Sequence, residues 1–340
     1  MKKLFLSLVA AIVAATATHA QSSLVATLNH EGTVSVYYGT ESLSQALSAA
    51  THGDEITLSA GRFSAVDITK AVTIRGAGCQ EDTVRMTHPT IIMDDFTINI
   101  PDSVKQKLTM EGVYCSGDIQ FSNTLKNAMF QKCKLEQLTN SGSTQSPCNI
   151  YNMTFANCIV AYLTMSTAYN KGVKHIYCIN SAIGFPCNDE NTGCWMEFTN
   201  CVVYGRNQAD NSYYGLYNST FHNCFFYNSS SSYPFVLHSS NYVYNCVGSS
   251  SDIFKKTYGS SNKVNADLAN GSNAKMFKSG TFYELTDEAK AQYVGDDGTE
   301  VGIYGGSMPY DPTPTNPQIT KFDVNASTSN GKLTVTLDVE

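Results

Sequence analysis

A four-residue pattern returns along this chain at nearly regular intervals, and it constrains the fold more than any other feature. The pattern is an apolar residue, any residue, usually an asparagine or glycine, and then a cysteine or an apolar residue. In the copy that lies between Asn157 and Asn200, even spacing favours Cys178 as the residue at the third position. The third position then falls, in steps of 20, 25, 21, 22, 23 and 22 residues, on Gly112, Lys132, Asn157, Cys178, Asn200, Asn223 and Asn245.

A period near 22 residues, with short β-like segments and no helical half, is typical of a β-solenoid. Three short strands and their turns use about that many residues in each coil. Successive coils then stack as parallel strands about 4.8 Å apart. The sequence therefore predicts an all-β fold, a parallel β-helix in which equivalent residues of neighbouring coils lie above one another.

The asparagines of the repeat are expected to form a row of turn residues. Asparagine tolerates left-handed backbone geometry, and its side-chain amide is able to donate to one neighbouring coil and accept from the other. We expect this structural role for Asn157, Asn200, Asn223 and Asn245.

The cysteines that follow are expected to point inward as small apolar side chains. Cysteines on adjacent coils have parallel Cα–Cβ bonds, so their Cβ atoms stay about one coil spacing apart, which is too wide for a disulfide. The prediction is a row of free, stacked thiols at Cys133, Cys158, Cys201, Cys224 and Cys246.

Charge and composition exclude several classes of function. The chain has a formal net charge of −7 and only 15% charged residues, so it lacks the basic surface that nucleic acids and anionic lipids require. No metal-ligand, nucleophile or phosphate-loop motif stands out, and no cofactor is predicted. The oligomeric state stays open.

The first twenty residues predict a signal peptide. Lys2 and Lys3 precede an apolar run over residues 4–17, and small residues end at Ala20, where we expect cleavage. The run is too short to span a bilayer, and no later segment is predicted to do so. We expect a bacterial protein that is secreted, attached to the cell surface or periplasmic.

The remaining chain divides into three predicted parts. Residues 21–52 form an N-terminal cap, with strands at 24–28 and 33–38 in a hairpin and a short helix at 43–50. Residues 53–306 form the parallel β-helix. Residues 307–340 form a proline-rich linker and a tail hairpin, with strands at 319–324 and 332–339.

Two stretches carry a resemblance to a known class. The start reads LSQALSAA (43–50), GDEITLSAGRF (53–63) and ITKAVTIRGAG (68–78), and the end reads GDDGTEVGIYGG (295–306). The chain resembles a right-handed parallel β-helix of the pectate-lyase-like class, as found in secreted proteins of Bacteroidetes-type bacteria. This resemblance implies a right-handed solenoid over residues 43–306. It implies no single activity, because the class includes lyases, hydrolases, adhesins and non-catalytic proteins.

One polar loop is a candidate ligand site. Asp189 and Glu190 would bind a cation or a sugar, Trp195 would stack on a sugar ring, and Arg206 follows about half a coil later. The alternative is a protruding structural loop, closed by a disulfide between Cys187 and Cys194, with Trp195 covering apolar surface. Asp94, Asp95, Asp296 and Asp297 are interpreted as turn residues.

A second candidate is the position before the asparagine, which is expected to point outward. Tyr177, His222 and Tyr244 would line a sugar-binding face there, or would be ordinary cross-strand contacts. Charged groups are too scattered between residues 140 and 260 for a lyase that must neutralise a uronate. We therefore expect a non-catalytic protein that binds a glycan or a surface partner. The alternatives are a polysaccharide-active lyase or glycoside hydrolase, or a passive stalk.

Overall fold

The chain folds into a parallel β-solenoid with two large sheets. The computed structural model describes residues 24–83, 87–123, 125–140, 150–165, 174–184, 186–188, 195–205, 216–228, 237–265, 276–315, 319–324 and 335–339. Helices are short and few in these ranges: α1 (Ser42–Ala49), a 3-10 turn (Ser251–Ile253) and α2 (Asp287–Gln292). The predicted all-β parallel solenoid is confirmed.

Sheet A begins with two antiparallel contacts and continues as a parallel stack. Its strands, in spatial order, are β2 (Thr33–Tyr38), β1 (Val25–His30), β3 (Glu55–Leu58), β5 (Thr73–Arg75), β8 (Leu108–Glu111), β10 (Leu125–Gln131), β12 (Ile150–Ala156), β14 (Lys174–Ile179), β17 (Met196–Thr199), β19 (Thr220–His222), β21 (Tyr242–Tyr244) and β23 (Tyr258–Ser260). β1 is antiparallel to both β2 and β3, and every later pairing is parallel.

Sheet B is formed by the strands that follow the asparagine turns. Its main strands, in spatial order, are β4 (Gly61–Ser64), β6 (Thr90–Met93), β9 (Val113–Phe121), β11 (Lys134–Asn140), β13 (Ile159–Met165), β15 (Ala182–Gly184), β18 (Val202–Gly205), β20 (Phe225–Asn228), β22 (Val247–Gly248) and β24 (Lys263–Val264). All of these pairings are parallel. Two short strands add to it, β7 (Phe96–Ile98) beside β9 and β16 (Cys187–Asn188) beside β13.

The interior of sheet A contains a row of large apolar side chains. Phe130 and Phe155 stack with ring centroids 5.2 Å apart, and Phe198 and Phe221 stack at 4.6 Å. All four are fully buried. The register places Cys178 between Phe155 and Phe198, so it belongs to this interior row.

The repeat alignment at Cys178 is therefore wrong, and Asn180 occupies the turn position of that coil. Asn180 has a φ of +46°, in the left-handed region shared by every other member of the row. The actual steps on either side of it are 23 and 20 residues. Even spacing misled the alignment because coils differ in loop length, whereas backbone conformation is fixed by the turn. The row is Gly112, Lys132, Asn157, Asn180, Asn200, Asn223 and Asn245.

The residues after this row form hydrogen bonds as well as packing inside. Each thiol donates to the carbonyl two residues earlier, for example Cys224 Sγ to His222 O at 3.1 Å. In return, the backbone N–H of Cys201 donates to Cys224 Sγ in the next coil at 3.4 Å. Ser181 does the same with Ile179 O at 2.7 Å, which supports the alignment of Asn180. The thiols are thus more than the apolar fillers that the sequence predicted.

All five predicted ladder cysteines are free and fully buried in the structure, together with Cys79, Cys115 and Cys178. Burial raises the pKa of Cys158, Cys201 and Cys224 well above the usual range. We expect these three thiols to resist alkylation in the native protein, because the reactive thiolate is scarce and inaccessible. In unfolded, unreduced protein each should take up one label, as read by peptide mass spectrometry. A disulfide among Cys201, Cys224 and Cys246 would contradict this.

The predicted Cys187–Cys194 bridge lies outside the residues whose side chains the structure describes.

The start of the chain contains the predicted hairpin and helix. β1 pairs with β2 from Val25 opposite Tyr38 to His30 opposite Thr33. In α1, Leu43, Ala46 and Leu47 are buried against the first strands.

An ion pair in this region predicts a pH-dependent stability. His30 Nδ1 lies 2.9 Å from Asp54 Oδ1, and this hydrogen bond, together with the carboxylate charge, raises the pKa of His30. Burial opposes the ionisation of Asp54, but hydrogen bonds from Thr51 and His30 outweigh it and lower the Asp54 pKa. His30 therefore stabilises the fold below its unfolded value of 6.5 and stops doing so as pH rises through its raised pKa. Asp54 stabilises the fold above its unfolded pKa of 3.8 and stops doing so as pH falls through its lowered pKa.

The expected result is that the melting temperature of the wild type falls relative to that of His30→Gln as pH rises above 6.5. Thermal melts of both proteins across this pH range test the prediction. The difference between their melting temperatures at each pH cancels the contribution of the other titrating groups. Parallel pH profiles for the two proteins would show that the pair contributes nothing.

After β24 the chain turns back and runs along the solenoid instead of adding coils. We call residues 294–315 the strap. Asn180 Nδ2 donates to Ile303 O at 2.8 Å and to Gly305 O at 2.7 Å. Asn223 Nδ2 donates to Asp296 Oδ1 at 2.9 Å, and the Asp311 N–H donates to Asn157 Oδ1 at 2.7 Å. The asparagine row is thus the part of the solenoid to which the strap is hydrogen-bonded.

This contact pattern corrects the predicted amide ladder. Among the described residues, one hydrogen bond joins two asparagines of the row, from Asn245 Nδ2 to Asn223 Oδ1 at 2.9 Å. Asn157, Asn180 and Asn223 bond to the strap, since it lies within reach and its backbone groups need partners. Asn200 Nδ2 is buried without a hydrogen-bond partner. A second apolar cluster forms where residues 276–310 cover sheet B, including Phe277, Tyr293, Ile303, Val202 and Phe225.

The tail contains the predicted hairpin, with β25 (Ile319–Val324) antiparallel to β26 (Val335–Val339).

Candidate functional site

The outward side of sheet A carries a concentration of aromatic side chains toward the C-terminal coils. Strand register aligns two outward rows that are separated by the buried row of Phe198 and Phe221. One row is Tyr177, Glu197, Thr220, Tyr242 and Tyr258. The other row is Ile179, Thr199, His222, Tyr244 and Ser260.

Within these rows the rings lie parallel to one another across neighbouring strands. Tyr242 and Tyr258 have centroids 5.5 Å apart and planes inclined by 28°. His222 and Tyr244 are 4.9 Å apart and inclined by 16°. Tyr242 is 41% exposed and Tyr258 is 61% exposed, so the stacked rings remain open to solvent.

Trp195 lies on the same side of the sheet, just before β17. Its carbonyl accepts the Ile176 N–H at 3.0 Å, which continues the parallel ladder by one residue. Trp195 is two residues before the outward Glu197 and is 46% exposed. The preceding coil places His175 beside it in register, and that ring stacks on Tyr177 with centroids 6.2 Å apart. We call Tyr177, Trp195, His222, Tyr242, Tyr244 and Tyr258 the aromatic face.

The polar groups between these rings are almost all neutral. Glu197 is the one Asp, Glu, Lys or Arg in the two rows from β14 to β23. Hydroxyl groups of Thr199, Thr220 and Ser260 lie among the aromatic positions. A flat surface of exposed rings and neutral hydrogen-bonding groups suits a ligand with apolar faces and hydroxyl edges.

The structure brings some of the predicted site residues together. Tyr177, Trp195, His222 and Tyr244 share the outward side of sheet A, but Tyr177 lies in the other row from His222 because the turn of its coil is at Asn180. Asp189, Glu190 and Arg206 lie outside the described residues, as does Cys194.

Sequence reasoning missed Tyr242 and Tyr258. The alternation Tyr-Val-Tyr over residues 242–244 was the available signal, since residues two apart in a strand face the same side.

A second group of polar residues lies on sheet B and was also missed. Tyr114 donates its hydroxyl to Glu136 Oε1 at 2.6 Å, which raises the Tyr114 pKa to about 12. The Asp118 N–H donates to Asp95 Oδ1 at 2.8 Å. Burial, with the charges of Asp95 and Glu136, raises the Asp118 pKa. Asp95 and Asp118 are 23 residues apart, one coil, a spacing that would have placed them side by side.

Within the described ranges, no group of three or more His, Cys, Asp or Glu residues is arranged to hold a metal ion. The same ranges contain no helix with the length and apolarity needed to cross a bilayer.

Fold and surface together define a parallel β-solenoid with an open aromatic face. Comparison with known proteins finds no matching family model, no matching curated protein and no matching solved structure.

Proposed function

We propose that this protein is an exported, non-catalytic β-solenoid that binds a neutral glycan on its aromatic face. The observation that carries the proposal is the exposure of Trp195, Tyr242 and Tyr258 on one side of one sheet. Sugars present apolar C–H faces that stack on such rings, and their hydroxyls bond to neighbouring polar groups. A rigid sheet holds the rings in place before binding, so little conformational entropy is lost on association.

The near absence of charge on this face favours a neutral ligand over a uronate or a sulfated sugar. A β-eliminating lyase must neutralise a carboxylate and place a strong base at the α-proton. The aromatic face has no lysine or arginine in its two rows. We therefore propose that the protein releases no unsaturated uronates from pectate, alginate or glycosaminoglycans.

The export part of the proposal rests on the signal peptide that the sequence of residues 1–20 predicts. The resemblance to the pectate-lyase-like class, with its right-handed winding, supports the same location, since that class is rich in secreted carbohydrate-binding and carbohydrate-active proteins.

Removal of single rings tests the binding site. We expect Trp195→Ala and Tyr258→Ala each to weaken binding of a neutral polysaccharide about 3- to 10-fold, equivalent to the roughly 0.5–1.5 kcal/mol of one aromatic contact. Affinity electrophoresis in gels containing soluble β-glucan, xylan or mannan provides the measurement, with polygalacturonate as the charged comparison. Tyr162→Ala, which removes a 38% exposed ring on sheet B, is the matched control. Equal retardation of all four proteins would contradict the proposal.

The alternative is a polysaccharide-active enzyme, and the proximity of Asp118 to Asp95 on sheet B favours it. Two neighbouring carboxyl groups are the minimum for glycoside hydrolysis. If the wild type releases reducing ends from a glycan, and Asp118→Asn does not, the catalytic alternative replaces the binding proposal.

A further inference from the structure

The strand at the edge of sheet A exposes an apolar surface. Val34 is 61% exposed, Val36 is 44% exposed and Tyr38 is 54% exposed. These residues alternate along β2, so they share its outward side. In the described part of the chain, β2 has a hydrogen-bonded neighbour on one side only. An apolar, uncharged edge strand of six residues promotes aggregation unless something covers it.

The strap leads toward this surface. Its last residue, Thr315, donates its N–H to Glu111 Oε1 at 3.1 Å and accepts a hydrogen bond from Arg75 Nη1 at 3.2 Å. Glu111 is almost fully buried, and Arg75 forms an ion pair with it. Thr315 is therefore held firmly over β5 and β8, on the outward side of sheet A.

The line of the strap points at Val36. Register places Arg75 beside Thr57 and Thr57 beside Thr27. Thr27 in turn lies beside Val36. A chain that continues across these strands from Thr315 arrives at the exposed patch of β2.

The length of the chain fits this path. The strap uses four residues to pass two strands, from Asp311 beside the β12 coil to Thr315 beside β8. Four more strand steps, over β5, β3 and β1 to β2, need about eight residues at that rate, which ends near residue 323. The distance is about 19 Å at 4.8 Å a step, and eight extended residues span about 26 Å. β25 occupies residues 319–324.

The tail hairpin needs an apolar surface to pack against. An isolated two-stranded hairpin is marginal in water. Register sets Phe322 opposite Leu337 and Val324 opposite Val335, so four apolar residues belong to one face. Lys321 is opposite Asp338 on the other face. The register therefore places the apolar positions of the hairpin on one face, which matches the apolar character of the patch on β2.

We propose that the hairpin β25–β26 docks its apolar face on the outward side of β2, over Val34, Val36 and Tyr38. The same chain would then cover the exposed apolar surface of its own first strands. The strap and hairpin together would tie the last coils to the first strands.

Disulfide trapping in the full-length protein tests this docking. We expect Val36→Cys with Leu337→Cys to form a crosslink within one chain on mild oxidation in dilute solution, seen as faster migration on non-reducing gels and confirmed by peptide mass. Thr220→Cys with Leu337→Cys, on the same side of sheet A but far along it, is the control and should remain uncrosslinked. A crosslink between two chains, or none at all, overturns the proposal.

Hydrogen exchange provides a second readout that does not depend on disulfide geometry. Val36→Asp places a charge on an exposed position, so the solenoid should fold unchanged. Exchange over residues 335–339 should become about 10-fold faster in this variant if β26 rests on the patch. Exchange over residues 335–339 that stays as slow as in the wild type would show that the hairpin is elsewhere.

Discussion

Phe221→Ala should lower the free energy of unfolding by about 3–5 kcal/mol, the usual cost of a large-to-small change in a packed core. Phe221 is fully buried, stacks on Phe198 at 4.6 Å and meets the edge of Phe226 at 5.1 Å. The neighbouring coils are held by backbone hydrogen bonds on both sides, so they are unable to collapse into the space. Urea denaturation followed by circular dichroism measures the loss.

Phe221→Leu keeps most of the volume and should lose clearly less stability than Phe221→Ala. If the alanine variant is as stable as the parent, the buried phenylalanine row does not hold the coils together.

Asn180→Ala should destabilise the protein by about 2–5 kcal/mol and loosen the strap. The buried carbonyl of Gly305 would lose its donor, at about 1–3 kcal/mol for an unpaired group, whereas the carbonyl of Ile303 would still accept the Tyr310 N–H. Alanine at φ +46° adds about 1–2 kcal/mol of backbone strain. Denaturation gives the total, and hydrogen exchange over residues 294–315 reports the strap.

Asn180→Gly separates the two contributions, because glycine accepts the left-handed conformation but has no amide. It should be more stable than Asn180→Ala yet still exchange rapidly in the strap. A glycine variant with wild-type exchange would mean that the strap is held by other contacts.

Much of the architecture was predictable because the repeat requires it. Stacked coils align like residues, so Asn223-Cys224 and its relatives reveal a parallel solenoid without knowledge of any loop. The exact turn residue of each coil was less predictable. Loops vary in length, and for this reason only backbone conformation separates Asn180 from Cys178 as the turn residue.

The strap was not predictable from the repeat, because its partners are far away in sequence. Asn180 and Ile303 are 123 residues apart, and nothing local in either segment indicates the contact. A free asparagine row and a row bound by a returning chain have the same sequence signature.

The aromatic face was predicted in part. His222 and Tyr244 are outward, as expected, since strand alternation determines the side on which a residue lies. Trp195 was expected in a protruding loop. Tyr242 was missed because the repeat motif of its coil begins one residue later, at Val243. Tyr258 was missed because it lies beyond the last copy of the motif. The pairing of Asp95 with Asp118 was missed because adjacent aspartates at a turn are usually structural.

Trp195 is the single tryptophan of the chain, so its fluorescence reports on the aromatic face alone. Titration with neutral oligosaccharides from the polysaccharide that binds most tightly is the most direct test of the proposed function. We predict a saturable change in emission intensity and a shift to shorter wavelength, as a sugar ring replaces water at the half-exposed indole, and a weaker response in Tyr242→Ala. An emission spectrum that stays constant while the glycan demonstrably binds would place the binding site elsewhere on the molecule.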